Sequence, residues 1–328
     1  MDKKLIAVVT GASGFVGSHL VDLLLEKNYT IRCIIRKTSS LKWLEGKDVE
    51  LHICELTDKV GLRKIFEGAD YIYHVAGVVK SKKPEGYFKG NVDTTRALLD
   101  VGLEFNIKRF LIVSSQTSSG PSAPGNPINE ESPCNPITTY GRSKLAQEEL
   151  ARNYMDKIPI TICKVAAIYG ERDTEIFIFF KTFSRGLMTM IGLHDKQVSL
   201  VHVIDVVRGL YLATASEKAV GQTYFITSEK YYTWKKVGDT TSKVMSKKPL
   251  VVKVPHFVVY TIAAIAQFFS LFSSKAATLN IEKAKDITQP AWISDYKKAF
   301  NNFGFKQEIS LEDGIKRTVD WYKKMKWL

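Results

Sequence analysis

Two short stretches of this chain carry residue types and spacings suited to chemistry. Thr10-Gly11-Ala12-Ser13-Gly14-Phe15-Val16-Gly17 has the small residues of a turn that lets a backbone approach phosphate groups. Tyr140-Gly141-Arg142-Ser143-Lys144 puts a phenol and an ammonium one helical turn apart, on one helix face. A phenol titrates near about 10, so it exchanges protons at neutral pH only beside positive charge, and Lys144 stands where it could supply that charge. A phosphate cradle followed by such a pair suits hydride transfer, with Tyr140 as general acid/base. A hydroxyl at the end of an apolar run, Ser115 or its neighbours Ser114 and Thr117, would bond the substrate oxygen and stabilise charge there.

The elements around these residues alternate. Leu5 to Val9 reads as a buried parallel strand that ends at the glycine turn. Gly14 to Lys27 has apolar residues at helical spacing. Strands are expected at 30–36, 49–56, 71–76, 109–114 and 160–165, and helices at 59–67, 94–104 and 139–155. This alternation predicts an α/β fold, a Rossmann-like doubly wound parallel sheet that binds its ligand at the carboxyl ends of the strands. Residues 1–170 are read as the dinucleotide-binding domain, completed by about 198–226; one more strand-helix pair is expected at 198–203 and 205–215. Residues 171–197 and 227–328 are read as a smaller C-terminal substrate domain.

The turn sits directly between a strand and a helix, the setting in which glycines at this spacing bind a pyrophosphate. Gly11 permits the tight turn, Gly14 admits the phosphates and Gly17 lets the helix pack close, while N–H groups at the helix start, those of Phe15 and Val16, face the anion. Strand two ends in Ile35-Arg36-Lys37, with no acid to bond ribose hydroxyls. Arg36 can clamp a 2′-phosphate, so NADP is favoured, with NAD as the alternative.

Composition narrows the class. At 328 residues, 45% apolar and 25% charged, the chain is ordinary for a globular protein. The net charge of +13 comes from scattered lysines with no arginine-rich tract, so no nucleic-acid partner is expected. Four cysteines without Cys-x-x-Cys spacing predict neither disulfide nor metal site. No signal peptide is read at the start, so the expected location is cytoplasmic.

Taken with His74-Val75-Ala76-Gly77, Asn91-Val92-Asp93-Thr94-Thr95, Val113-Ser114-Ser115, Ile168-Tyr169-Gly170 and Val201-His202-Val203-Ile204-Asp205, the chain resembles an extended short-chain dehydrogenase/reductase. That family includes nucleotide-sugar epimerases and dehydratases, hydroxysteroid dehydrogenases and dihydroflavonol reductases. The resemblance implies that Glu55 and Leu56 flank the adenine, that Ala76 and Gly77 line the phosphate and ribose path, and that Val165 approaches the nicotinamide. It implies that Asn91 orients Lys144 or the cofactor, that Lys144 bonds the nicotinamide ribose, and that Ser115 is the hydroxyl of the triad. It further implies a homodimer through helices 94–104 and 139–155. Where the family has Arg-Pro after strand six, this chain has Lys164-Val165-Ala166. Cys134 falls near the expected substrate entrance and reads as a tolerated small residue.

Two features bear on the substrate. Lys196-Gln197-Val198-Ser199-Leu200-Val201-His202 lacks the arginine with which nucleotide-sugar enzymes of the family meet a pyrophosphate, and lysine replaces it only as a point charge. His256 to Ser274 carries no Asp, Glu, Lys or Arg. It reads as a lid helix with peripheral membrane contact, or as a buried helix or dimer contact. The expected function is hydride transfer between the cofactor and a secondary alcohol or ketone of a bulky apolar, sterol-like small molecule. The alternatives are a nucleotide-sugar epimerase or dehydratase and a non-catalytic cofactor sensor.

Overall fold

A computed structural model describes residues 4–270, 272, 277 and 279–328. The first strand β1 (Ile6–Thr10) is followed by α1 (Phe15–Glu26), β2 (Thr30–Ile35), β3 (Glu50–Ile53), α2 (Lys59–Phe66) and β4 (Tyr71–His74). After β4 come α3 (Pro84–Phe88), a π-helical turn at Lys89–Asp93, α4 (Thr94–Gly102), β5 (Arg109–Ser115), α5 (Thr139–Arg152) and β6 (Ile160–Val165). The π turn was not read from the sequence, which shows only one helix there. Such turns recur at functional sites because they re-aim side chains.

Beyond β6 lie β7 (Ala167–Tyr169), α6 (Phe177–Ser184), β8 (Leu187–Ile191), β9 (Gln197–Val198), β10 (Leu200–His202), α7 (Val203–Ala215) and β11 (Gln222–Ile226). The chain ends with β12 (Tyr232–Thr233), α8 (Trp234–Met245), β13 (Leu250–Val254), α9 (His256–Ser270), α10 (Ile281–Thr288), β14 (Ala291–Trp292), α11 (Lys297–Phe303) and α12 (Leu311–Lys324). One seven-stranded sheet runs β11-β6-β5-β4-β1-β2-β3, parallel throughout. Its order reverses between β1 and β4, the crevice where such sheets bind dinucleotides. The inner strands are buried on both faces, β6 at every residue, as a sheet covered on both sides by helices requires.

The sequence expectation of a strand at 198–203 lands on β9 and β10, outside this sheet. β10 pairs with β7 and β9 with β12 and β14. The seventh strand of the sheet is instead β11, which pairs with β6. Two apolar layers flank the sheet, one under α1 and α7, the other under α2, α4 and α5. A third cluster, around Tyr169, Phe180, Val237, Ile315 and Tyr322, joins α6, α8 and α12. Ala299 of α11 and Phe305 just after it pack into the layer under α7, so part of the C-terminal run returns to the main sheet.

Candidate active site

The glycine turn is shaped by close backbone approach. Gly11 has φ of +69°, and a Cβ there would come within 2.8 Å of the Ala76 nitrogen. A Cβ on Gly17 would lie 2.1 Å from the Gly11 carbonyl oxygen. The loops after β1 and β4 therefore touch at the switch point, where only glycine fits. Gly14 caps α1 without a side-chain bond, and no acid occupies the first turn, so the N–H groups near Phe15 and Val16 are left open to an anion. Gly77 lies close to two expected partners: its Cβ would meet Asn91 Oδ1 at 3.2 Å and Lys144 Nζ at 3.9 Å. Arg36 is exposed just past β2, and its backbone N–H donates to Ser39 Oγ at 3.0 Å. Exposed Glu55 and half-buried Leu56 follow β3. This donor set and this glycine cradle fit a dinucleotide.

Thr138 caps α5 by accepting the Gly141 N–H at 3.0 Å, which starts the helix just before Tyr140. The half-buried Tyr140 lies against Tyr87, ring centroids 6.3 Å apart. Burial pushes its phenol up to about 12, the Ser115 hydroxyl opposes that rise, and Asp286 and Tyr87 add to it. Burial pulls the Lys144 ammonium down to about 8, against the Glu148 carboxylate. The Lys144 ammonium donates to the Val113 carbonyl at 2.8 Å and to Gln147 Oε1, close to the Gly77 loop. Burial is the dominant influence on the Tyr140 phenol, and Lys144 is not among the groups that shift it.

A buried network missed by the sequence reading holds this ammonium. Gln147 Nε2 donates to Thr95 Oγ1 at 2.7 Å, and Thr95 meets His74 Nε2 at 2.8 Å. His74 Nδ1 meets Thr10 Oγ1 at 2.8 Å, and Thr10 Oγ1 accepts the Ala76 N–H at 3.1 Å. Burial, and secondarily Lys144, lowers His74 to about 3, so the chain of groups is neutral apart from Lys144 itself. Asn91, fully buried in the π turn, donates to Ser143 Oγ at 2.9 Å and to the Val78 carbonyl at 3.1 Å, and accepts the Val78 N–H at 2.7 Å. It thereby ties the loop after Gly77 to α5. Gln147 is seven residues after Tyr140, on the same helical face, which is the one signal that could have exposed it.

The three hydroxyl candidates separate. Ser114 Oγ donates to the buried Glu148 at 2.5 Å and faces away from the site. Ser115 and Thr117 both line the cavity in front of Tyr140, with Thr117 Oγ1 donating to Ser115 Oγ at 2.8 Å. Glu148 also accepts from Ser118 at 2.5 Å and pairs with Lys164 at 3.1 Å, so Lys164 supplies a charge inside the scaffold. The exposed Cys134 lies 3.5 Å from that ammonium and is not among the residues lining the cavity. Among the described residues no group of three or more His, Cys, Asp or Glu is placed to hold a metal.

The cavity measures about 520 Å³. Ser115, Tyr140 and Val165 line it, together with apolar surface from Phe179, Met190, Ile191, Val198, Trp234, Ile287 and Trp292. Three lysines also line it. Lys80 pairs with Glu175 at 2.6 Å and Lys283 with Asp286 at 2.8 Å. Lys196 donates to the Ile287 carbonyl at 2.7 Å, and burial lowers it to about 8.

A parallel sheet with a glycine cradle at its switch point and a Tyr/Ser pair beside it defines a nicotinamide-dependent enzyme of Rossmann type. The chain belongs to the NAD dependent epimerase/dehydratase family, whose profile matches residues 7–227. It is 26% identical to the ceramide reductase of Caulobacter vibrioides, over 100% of this chain and 97% of that one. It is 24% identical to the decarboxylating sterol-4-alpha-carboxylate 3-dehydrogenase of Dictyostelium discoideum, over 84% and 93% of the two chains. The fold matches that of the Thermotoga maritima UDP-glucose 4-epimerase with a TM-score of 0.81, at 22% identity, over 98% and 99% of the two chains.

Proposed function

We propose that this chain reduces a ketone on a bulky, largely apolar small molecule, with a nicotinamide cofactor as the reductant, and that it runs the reverse alcohol oxidation where supply favours it. The observation that carries this reading is the charge of the cavity. Among the described residues its lining acids Glu175, Glu282 and Asp286 match its lysines in number, two of those lysines are ion-paired to them, and no arginine lines the wall. A nucleotide diphosphate would meet carboxylates there without a bidentate partner. A lipid chain or ring system meets Trp234, Trp292 and Phe179. Two relatives, a ceramide reductase and a sterol dehydrogenase, support the same substrate class.

Bound in the cradle, the nicotinamide supplies two electrons as hydride. Gly11, Gly14 and Gly17, with the N–H groups at the start of α1, would hold the pyrophosphate. Lys144, fixed by Val113 and Gln147 below Gly77, faces the ribose path. Val165 closes the wall next to Tyr140. Ser115 orients the carbonyl oxygen, and Tyr140, protonated because burial holds it near 12, donates the proton that this oxygen takes up.

Incubation with reduced cofactor and two panels tests the proposal. Keto-sterols and long-chain keto-amides are expected to consume reduced cofactor in a one-to-one ratio with alcohol formed. UDP-glucose and related nucleotide sugars are expected to be left unchanged. Epimerisation of a nucleotide sugar with no net change in cofactor would overturn the reading in favour of the epimerase alternative that the family description also covers.

We further infer a preference for NADP, supported by the exposed Arg36 at the end of β2, where an acid would otherwise select NAD. Arg36→Ala is expected to weaken NADPH binding about tenfold or more, the worth of one charge-assisted pair, while NADH binding changes little. Equal losses for both cofactors, measured by fluorescence titration, would remove Arg36 from this role.

A further inference from the structure

We propose that the outer face of α9 is a docking surface for an anionic phospholipid bilayer. α9 has no charged Asp, Glu, Lys or Arg, and its described side chains are apolar nearly all round. Only Val259 and Ala263 are buried. Phe257, Ile262, Ile265, Phe268 and Phe269 are exposed, Phe257 by 72% and Phe269 by 65%, and Phe272 extends the same run. The strand leading into it, β13, adds exposed Leu250, Val251 and Val252. Apolar residues massed in this way mark a contact surface and not ordinary scatter. At 15 residues α9 is about 22 Å long, short of the roughly 30 Å hydrocarbon layer. No helix among the described residues is long and apolar enough to cross a membrane. The helix would therefore lie along the interface.

Charge selects the occupant. Between Asp239 and Glu282 the sequence has no acid, yet it carries Lys243, Lys247, Lys248, Lys253 and Lys275. Lys243 is engaged by Glu312 at 2.7 Å. Among the described residues Lys247 and Lys253 donate to backbone carbonyls, those of Ser184 and Leu193, and no carboxylate pairs with them. Lys248 is exposed. A second copy of the chain docking through this face would set lysine against lysine. An anionic bilayer presents the opposite charge beside hydrocarbon, the combination that amphipathic surface anchors use.

The inner side of α9 links this surface to the cavity. Val259 and Ala263 pack on Ala284 together with Ile191 and Ile287, and the last two also line the cavity. The docked helix is thus the outer layer of the cavity wall. Docking is independent of the catalytic reading; delivery of an apolar substrate from the bilayer to Tyr140 rests on it.

Flotation of the full-length protein tests the proposal, with vesicles of phosphatidylcholine alone or mixed with phosphatidylglycerol. The protein is expected to float with the mixed vesicles, poorly with the neutral ones, and progressively less as salt rises. The triple variant Phe257→Ser, Phe268→Ser, Phe269→Ser is expected to lose at least about tenfold in vesicle affinity, as is Lys247→Gln, Lys248→Gln, Lys253→Gln, with cofactor affinity unchanged as a control for folding. If the triple variant fails that control, Phe268→Ser alone, at an exposed site, is expected to lose several-fold. The proposal is overturned if the protein does not float with anionic vesicles, or if properly folded variants float as well as the parent. It is equally overturned if sedimentation shows these phenylalanines driving self-association while vesicles are not bound. Loss of flotation without loss of turnover on a detergent-solubilised ketone would leave the catalytic reading intact.

Discussion

Tyr140→Phe is expected to lower kcat for ketone reduction by about a thousandfold, within the range for removing one general acid, while the Kd for cofactor stays within about a factor of two. The substitution removes one oxygen and leaves the ring against Tyr87, so the cavity wall keeps its shape. The groups placed to hold the cofactor, from Gly11 to Gly17 and around Gly77 and Lys144, do not use that oxygen. Ser115 retains Thr117 as a hydrogen-bond partner, so the carbonyl oxygen still finds a donor, but only an orienting one. The loss should fall on kcat more than on KM, because the proton is needed as charge develops and not while the ketone is binding. Because burial pushes the phenol up to about 12, it stays predominantly protonated through acid and neutral pH. The parent enzyme should therefore show no acid or neutral-pH limb from Tyr140 in the reduction direction. Steady-state kinetics across pH, with cofactor titration by fluorescence, give both numbers. Turnover close to that of the parent would exclude Tyr140 as the acid.

The parts of this site that were legible in the sequence are those whose physics is local. A glycine turn between a strand and a helix needs only neighbours in the chain to be understood, and Ser115 and Tyr140 follow from a strand end and a helix start. Lys144 was legible as a residue but not in its partner. That its ammonium is held by Val113 and Gln147 depends on three separate elements, β5, α5 and, through Thr95, α4. The same holds for β11. Its place at the sheet edge is set by pairing with β6, some sixty positions earlier. The strand expected at 198–203 is present as β9 and β10, but which sheet it joins is set by long-range pairing: β7 leaves the main sheet and takes β10 with it. For the 256–274 segment, an apolar composition says nothing about which side faces solvent. The burial of Val259 and Ala263 alone, among so many exposed neighbours, is a property of the packed chain; residues 271, 273 and 274 lie outside those described.

Lys164→Met is expected to destabilise the fold by about 3 kcal/mol, the scale for removing one partner of a buried ion pair, which for a chain of this length lowers the unfolding midpoint by about 4 °C. Both side chains of the Lys164–Glu148 pair are almost completely buried, so water cannot replace the lost ammonium. Arg152, at 3.2 Å and half exposed, compensates only in part. The hydroxyls of Ser114 and Ser118 keep their bonds to Glu148, and they flank Ser115. A carboxylate that shifts to find a new partner therefore drags the ends of the segment that presents Ser115 to the cavity. Turnover should fall with stability, and more steeply than cofactor affinity, since the glycine cradle lies on the other side of β5. The double variant Lys164→Met, Glu148→Gln removes the stranded charge and keeps an acceptor for the two serines. It should recover most of the lost stability, so that the two substitutions are far from additive. Thermal unfolding of the parent, both single variants and the double variant measures this coupling directly. Additive losses would mean that the pair is not coupled, and that Ser115 is held in place by the backbone of β5 alone.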